Sequence, residues 1–244
     1  SKEISDLFKN LEQCSQNTKI MGTEVYKSPT DMGVNMVGNC IVDDDICCQA
    51  AKNEIIRRYY DVLVEIKKDH LGEDIMYKME TIMNKAGVNK DDRKVAVVAN
   101  DLAKKNCSPA VAIEYNGKII TGKTSKLMGA SSAALLNTMK IAAGIPDIHI
   151  LSKNVLEPIQ ELKTEYLKGN NPRLHTDEVL IALAVDSNTS KDCCNALKAL
   201  KLLKGCEVHS SVILSEVDVR VFKKLGMNLT QTPVYQTKKL YHSK

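Results

Sequence analysis

Apolar positions along this chain change period near residue 109, from the spacing of amphipathic helices to the tighter alternation of strands. Ile4, Leu7, Phe8 and Leu11 fall on one narrow helical stripe within Ile4 to Gln13. Ser28-Pro29-Thr30-Asp31 then offers a turn and a cap before a short helix over Met32 to Val37. Asp43, Asp44 and Asp45 place negative charge where unpaired amides favour it, ahead of Ile46, Ala50, Ile55, Ile56, Tyr59, Val62, Leu63 and Ile66 at helical spacing. The pattern predicts a long helix ended by Gly72, and a second from Glu73 to Ala86 closed by Gly87. Residues 1–90 therefore read as a helical front section.

Asp91-Asp92 caps a segment from Arg93 to Lys105 whose centre, Val95 to Ala99, also suits a buried strand; its length and its continuation through Leu102 favour a helix. From Pro109 the period shortens. Ala110 to Tyr115, the pair Asn116-Gly117, and Lys118 to Thr121 form a hairpin signature, because Asn-Gly supplies the two positive φ angles of a type I′ turn. Beyond it the pattern predicts helices over Ser131–Ala143, Leu156–Leu167, Thr176–Val185, Cys193–Leu203 and Asp218–Leu225, with strands at Ile148–Leu151, Glu207–Leu214 and Met227–Thr232. Residues 91–244 add up to an α/β sandwich of four or five strands with helices on both faces and one antiparallel hairpin.

Charge and composition remove several classes of function. The balance of 34 basic and 30 acidic residues gives a net charge of only +4, with lysines scattered among acids, so no nucleic acid partner is expected. The absence of Trp deprives a single-strand binder of stacking platforms. No run of eighteen apolar residues and no secretory pattern occurs, which predicts a cytoplasmic protein without a membrane partner. Eight cysteines, two pairs of them adjacent, follow no disulfide framework and read as reduced, packed thiols. The chain opens at Ser1 without Met, as part of a longer protein would.

One motif invites a specific reading that its context opposes. Gly117-Lys-Ile-Ile-Thr-Gly122-Lys123-Thr124 satisfies the phosphate-loop pattern letter for letter. Such a loop must keep its amides free for phosphate, whereas Ile119 and Ile120 place these residues in the return strand of the hairpin, where pairing consumes the amides. The milder alternative has Lys123, Thr124 and Ser125 at the strand's end, facing the next helix and holding an anion.

A zinc deaminase has the same order of elements, but it needs a His or Cys two residues before a Glu on the helix after the hairpin, and Gly129-Ala-Ser-Ser-Ala-Ala-Leu135 has none of these. Cys206 and His209 have ligand spacing, and Cys193, Cys194 and His175 are available, yet nothing in the sequence brings them together; no zinc is expected. A buried Cys and a neighbour-satisfied His are the plainer account, and His209 is retained as a ligand-binding candidate.

The densest reactive cluster is Asn171-Pro-Arg173-Leu-His175-Thr176-Asp177-Glu178, at a helix start. Arg173 would clamp an anion while His175 and Glu178 exchange protons; equally, Thr176 would cap while Asp177 and Glu178 complement the dipole. Asp31 and Asn35, one helical turn apart, share a ligand or serve a cap.

Four separated motifs, Ser28-Pro-Thr-Asp-Met-Gly-Val-Asn-Met-Val-Gly38, Gly122-Lys-Thr-Ser125, Asn171-Pro-Arg-Leu-His175 and Pro233-Val-Tyr235, resemble an uncharacterised bacterial family catalogued as domain of unknown function 1846. The resemblance runs from Ser28 onward and is with the C-terminal half of that family. It implies a missing N-terminal half that carries its own glycine-rich phosphate loop, and a three-layer sandwich of cytidine-deaminase-like topology without the metal site. It implies no reaction.

Two functions compete at this point. One is the ligand-binding part of a nucleotide-dependent bacterial enzyme, with Asp31, Asn35, Lys123, Thr124, Ser125, Arg173, His175 and His209 around a small anionic molecule and His175 and Glu178 as acid–base groups; its cofactor is undefined. The other is a non-catalytic module whose front helices dock on the missing half or on a second copy. A zinc-dependent deaminase ranks third.

Overall fold

A long helix leads into a four-stranded mixed sheet in the computed structural model, which describes residues 44–236. The helices expected at Ile4–Gln13 and Met32–Val37, and with them Asp31 and Asn35, lie outside the described residues. The chain divides into two compact units at Ile55 and Ile56; the second holds the sheet and the helices that pack on it from Ile56 onward.

Helix α1 spans Asp44–Lys67, α2 Asp74–Ala86 and α3 Lys94–Asn106. The long helix stops before Gly72. Asp69 adopts the left-handed conformation at φ 61°, and the amides of Asp69 and His70 return to the carbonyls of Ile66 and Glu65, closing the helix with an aspartate in the position glycine usually takes. The Val95–Ala99 segment is helical: Val95 and Ala99 are buried against Ala112, while Val97 stays exposed, a one-sided burial that a central strand would not show.

Strands β1 (Ala110–Tyr115) and β2 (Lys118–Lys123) form the expected hairpin. Asn116 and Gly117 have φ of 49° and 73°, the two positive angles that the turn requires. Then follow α4 (Ala130–Ala142), α5 (Lys153–Glu161, prolonged by a π-type turn over Leu162–Tyr166), α6 (Thr176–Asp186) and α7 (Lys191–Ala199). Strand β3 (Glu207–Ser210), α8 (Glu216–Lys224) and β4 (Asn228–Gln231) complete the order. The sheet order is β2-β1-β3-β4, with β1 antiparallel to both neighbours and β3 parallel to β4.

The expected strand at Ile148–Leu151 does not form. Side chains take its polar backbone instead: Lys140 Nζ donates to the Ile148 carbonyl, and Cys193 Sγ lies 3.0 Å from the Ile150 carbonyl. Ile150 and Leu151 pack on the core without a ladder.

Alternation along β1 divides the layers. Val111 and Ile113, with Val208 of β3, face a fully buried cluster of Leu135, Met139, Val179, Leu183 and Phe222 from α4, α6 and α8. Each such side chain contributes roughly 1.5–3 kcal/mol on burial. Ala112 and His209 face α3 and the later part of α1, where Tyr60 meets the His209 ring edge-on at 4.8 Å. The structure is thus an α/β protein with helices on both faces of a mixed sheet.

Arg93 fastens this second face. Its guanidinium donates to Glu207 (2.5 Å), to the carbonyls of Val208 and Asn228 (2.9 Å each) and to Thr230 Oγ1 (2.7 Å). Arg57 of α1 bonds the other Glu207 oxygen at 2.7 Å. Burial pulls the Arg93 pKa below its ordinary value, opposed by the Glu207 carboxylate, so this cation is held by partners that replace its water.

Candidate functional site

The carboxyl ends of β2, β3 and β4 lie together, because β1 runs against its neighbours: Ala110 is opposite Lys123 at one side, and Val111 is opposite Ser210 at the other. Helix α4 follows β2 here and α8 follows β3. The first turn of α6 is drawn in by a bridge between Met128 and Leu174, by the Gly129 amide donating to the Leu174 carbonyl (3.1 Å), and by Ser132 Oγ donating to that carbonyl (2.8 Å). Three helix N-termini therefore meet where open α/β sheets hold their ligands.

At this junction Asp218, buried at the start of α8, organises His175, which precedes α6. Asp218 Oδ1 accepts from the Thr176 amide (3.0 Å) and hydroxyl (2.8 Å). Oδ2 accepts from Ser215 Oγ at 3.0 Å and lies 3.4 Å from His175 Nδ1. Burial alone would raise the Asp218 pKa, but the hydrogen bonds from His175 and Thr176 outweigh it and hold the carboxyl below its ordinary range. The same contact raises the pKa of His175, against a smaller opposing effect of burial. With Nδ1 turned to the carboxylate, Nε2 bonds no described residue, and the side chain is 35% exposed. An imidazole fixed at one nitrogen and open at the other is the arrangement a general acid or base requires.

Glu178 is bonded to the same helix start. Its Oε2 accepts from the His175 amide (2.7 Å) and from Lys163 Nζ (2.6 Å), and Lys163 also donates to the Arg173 carbonyl (2.5 Å). Glu178 thus caps α6 and ties it to the π-type turn after α5. The hydroxyl of Thr176, read as the cap from sequence, is committed to Asp218, and the cap position belongs to His175.

The other sequence candidates divide. Ser125 and Arg173 come together: Arg173 Nε donates to the Ser125 carbonyl at 2.8 Å, and Ser125 Oγ accepts from the amides of Leu127 and Met128. Thr124 bonds the Pro109 carbonyl through both its amide (3.2 Å) and its hydroxyl (3.3 Å). Lys123 opens instead onto a cavity of about 380 Å³ beside the edge strand β2, with Leu102, Lys105 and Asn106 of α3 and Asn137 of α4. Residues 118–123 are paired in register with β1, so their amides do not form a phosphate nest.

His209 is enclosed in the opposite layer. Its Nδ1 lies 2.8 Å from Thr230 Oγ1 and its Nε2 3.0 Å from Thr232 Oγ1, which in turn donates to Asn100. Burial, with help from the Arg93 charge, pushes its pKa down to about 3, so the ring is a neutral bridge inside the core, apart from the His175 cluster. Among the described residues no three His, Cys, Asp or Glu side chains gather as metal ligands.

Sequence reasoning missed Ser215, Asp218 and Lys163. Ser215-Glu-Val-Asp218 carried a capping signature, and its Ser215 does accept from the Asp218 amide at 3.3 Å. What no local signal conveyed is that the carboxylate also reaches a histidine 43 residues earlier.

Two family profiles match the chain. "Domain of unknown function DUF1846, C-terminal" covers residues 91–241, and "Domain of unknown function DUF1846, N-terminal" covers residues 6–87. The second match corrects the expectation that only the C-terminal half of the family is represented. A UPF0371 protein of Corynebacterium urealyticum is 47% identical over 244 residues, covering 99% of this chain and 48% of its own length. One from Corynebacterium efficiens is 48% identical over 227 residues, and one from Streptococcus pneumoniae is 47% identical over 225 residues. Each of these two alignments covers 46% of the relative. The chain thus spans about half the length of the curated relatives it matches, and it belongs to the DUF1846 family, whose members here carry the UPF0371 designation.

Proposed function

We infer that this chain provides an acid–base site for a small anionic molecule in a cytoplasmic, nucleotide-dependent bacterial enzyme. The observation that carries the reading is the buried Asp218 carboxylate holding Nδ1 of a part-exposed His175 at the convergence of three helix N-termini. Their aligned amides favour negative charge, and Arg173 adds a cation whose terminal nitrogens bond no described residue. His175 Nε2 exchanges the proton; Asp218 is a positioning residue that also stabilises the charged imidazole. The order β2-β1-β3-β4, with β1 antiparallel, supports a cytidine-deaminase-like topology as the framework.

The test is a thermal-shift screen of anionic metabolites over about pH 5 to 8, the range in which a histidine changes charge. A ligand stabilises by RT ln(1 + [L]/Kd), and the shift should follow the His175 titration and lose that dependence in His175→Ala. Stabilisation whose pH dependence survives in His175→Ala would remove the histidine from the reading.

A second reading, a docking or self-association module, is favoured by Tyr166 and Leu167, which end the α5 turn 71% and 70% exposed. Light scattering of the chain and of a Tyr166→Ser, Leu167→Ser variant separates the two: a monomer in both cases removes self-association.

A further inference from the structure

Helix α4 begins without any of the devices that satisfy a helix start. No side chain caps it and no acidic residue occupies its first turn. The cap position is Gly129, with φ −67° and ψ 166°, ordinary extended backbone that Ser, Thr, Asp or Asn adopts equally well. Space is not the reason for glycine either. A Cβ there would find its nearest neighbours, the Leu174 carbonyl and Ser131 Oγ, at 3.8 Å, and Ser132 Oγ at 4.0 Å. The missing side chain leaves a small cradle above the first turn.

The donors around that cradle are of two kinds. The Gly129 amide and the Ser132 hydroxyl are spent on the Leu174 carbonyl. The amides of Ala130, Ser131 and Ser132 have no acceptor within the helix. Ser131 is only 3% exposed, and its hydroxyl bonds no described residue although it borders the cradle. A buried hydroxyl without a partner costs about 1–3 kcal/mol, so its presence beside three amides that lack acceptors points to a ligand that satisfies it. Leu174, whose carbonyl closes one side, stands between Arg173 and His175, so the site's cation and its acid–base group flank it in sequence.

We propose that the first turn of α4 seats the phosphate group of a phosphate monoester, which makes the substrate of the His175 site a phosphorylated small molecule. Four donors in one helical turn match the several acceptor oxygens of a tetrahedral oxyanion better than the two of a planar carboxylate, and a doubly charged group gains most from the helix dipole and from Arg173. The proposal rests on the acid–base reading of His175, but the two fail separately.

The probe is inorganic phosphate, with acetate beside it, titrated into the isotope-labelled chain while backbone amides are followed by NMR. Phosphate should shift the amides of Ala130, Ser131 and Ser132 and bind at least about tenfold more tightly than acetate. Gly129→Asp places a carboxylate over the same amides; it should leave thermal stability equal or raised and weaken phosphate by more than about tenfold. Ser131→Ala should weaken it about threefold or more, the loss of one hydrogen bond. Phosphate that leaves these amides unmoved, binds Gly129→Asp as well as wild type, or is matched by acetate overturns the proposal. His175→Ala is the separating control: retained phosphate binding is expected, and phosphate bound at α4 in a protein whose His175 has no pH-dependent effect would fault the acid–base reading alone.

Discussion

Gly122 of β2 and Ala134 of α4 approach so closely that a Cβ on the glycine would lie 2.1 Å from the Ala134 amide nitrogen and 2.6 Å from its Cα. The glycine that completes a phosphate-loop pattern in sequence is therefore a packing residue, needed for a helix to lie directly on a strand.

Gly122→Ala should be among the more damaging small substitutions in the protein. The obstructing atoms are backbone, so the helix itself must move, and overpacking of this kind costs about 1–3 kcal/mol or more. At this chain length each kcal/mol lowers the melting temperature by about 2–4 °C. An unchanged thermal unfolding curve would contradict the close approach.

Asp218→Asn should lower the pKa of His175, which the carboxylate now holds above 6.5. The sign extends to stability. A raised histidine contributes most below its unfolded pKa, and the contribution disappears as pH rises through the folded value. The depressed Asp218 acts oppositely, contributing above 3.8 and losing that contribution as pH falls through its folded value. NMR titration of the His175 ring in both proteins reads the first effect directly.

His209 should make the fold sensitive to acid. It is neutral in the native core, with a pKa of about 3 against 6.5 when exposed, so unfolded chains bind the extra proton as pH falls through that interval. Stability then drops by up to about 1.4 kcal/mol per pH unit from this group. Urea unfolding between these limits should show a shallower pH slope in His209→Gln than in wild type, whatever the variant's absolute stability.

Arg93→Ala should cost about 1–3 kcal/mol, because two strand carbonyls and one Glu207 oxygen lose a donor while Arg57 still holds the other oxygen. Arg93→Lys should recover little of this, since one ammonium cannot reproduce a planar fork bonded in several directions. Denaturant midpoints of the two variants should lie closer to each other than either does to wild type.

The sequence made the helix-bearing, hairpin-containing sheet legible because its signals are local. Asn116-Gly117 specifies its own turn, and the one-sided stripe of Val95 and Ala99 specifies a helix. Ile148–Leu151 misled because four apolar residues suit a strand or a packed loop equally, and the deciding contacts come from Lys140 and Cys193. The site was half visible. Arg173 and His175 lie in one conspicuous run, whereas Asp218 and the open first turn of α4 become functional candidates only through contacts across 40 or more residues. Lys123 lay near the right place in sequence but opens onto a different surface, since successive side chains of a strand point to opposite faces.

The bonds that Arg93 makes to Val208 and Asn228 bear on alignment as well as on strength. Strand β4 is four residues long and mostly polar, so burial pattern gives it little preference among offsets along β3. A one-residue slide would withdraw Asn228 from the guanidinium and exchange the Thr230 hydroxyl beneath His209 for a side chain of the opposite face. The arginine thereby serves as a ruler for the parallel pair, choosing one offset for an edge that its own hydrophobicity leaves undecided.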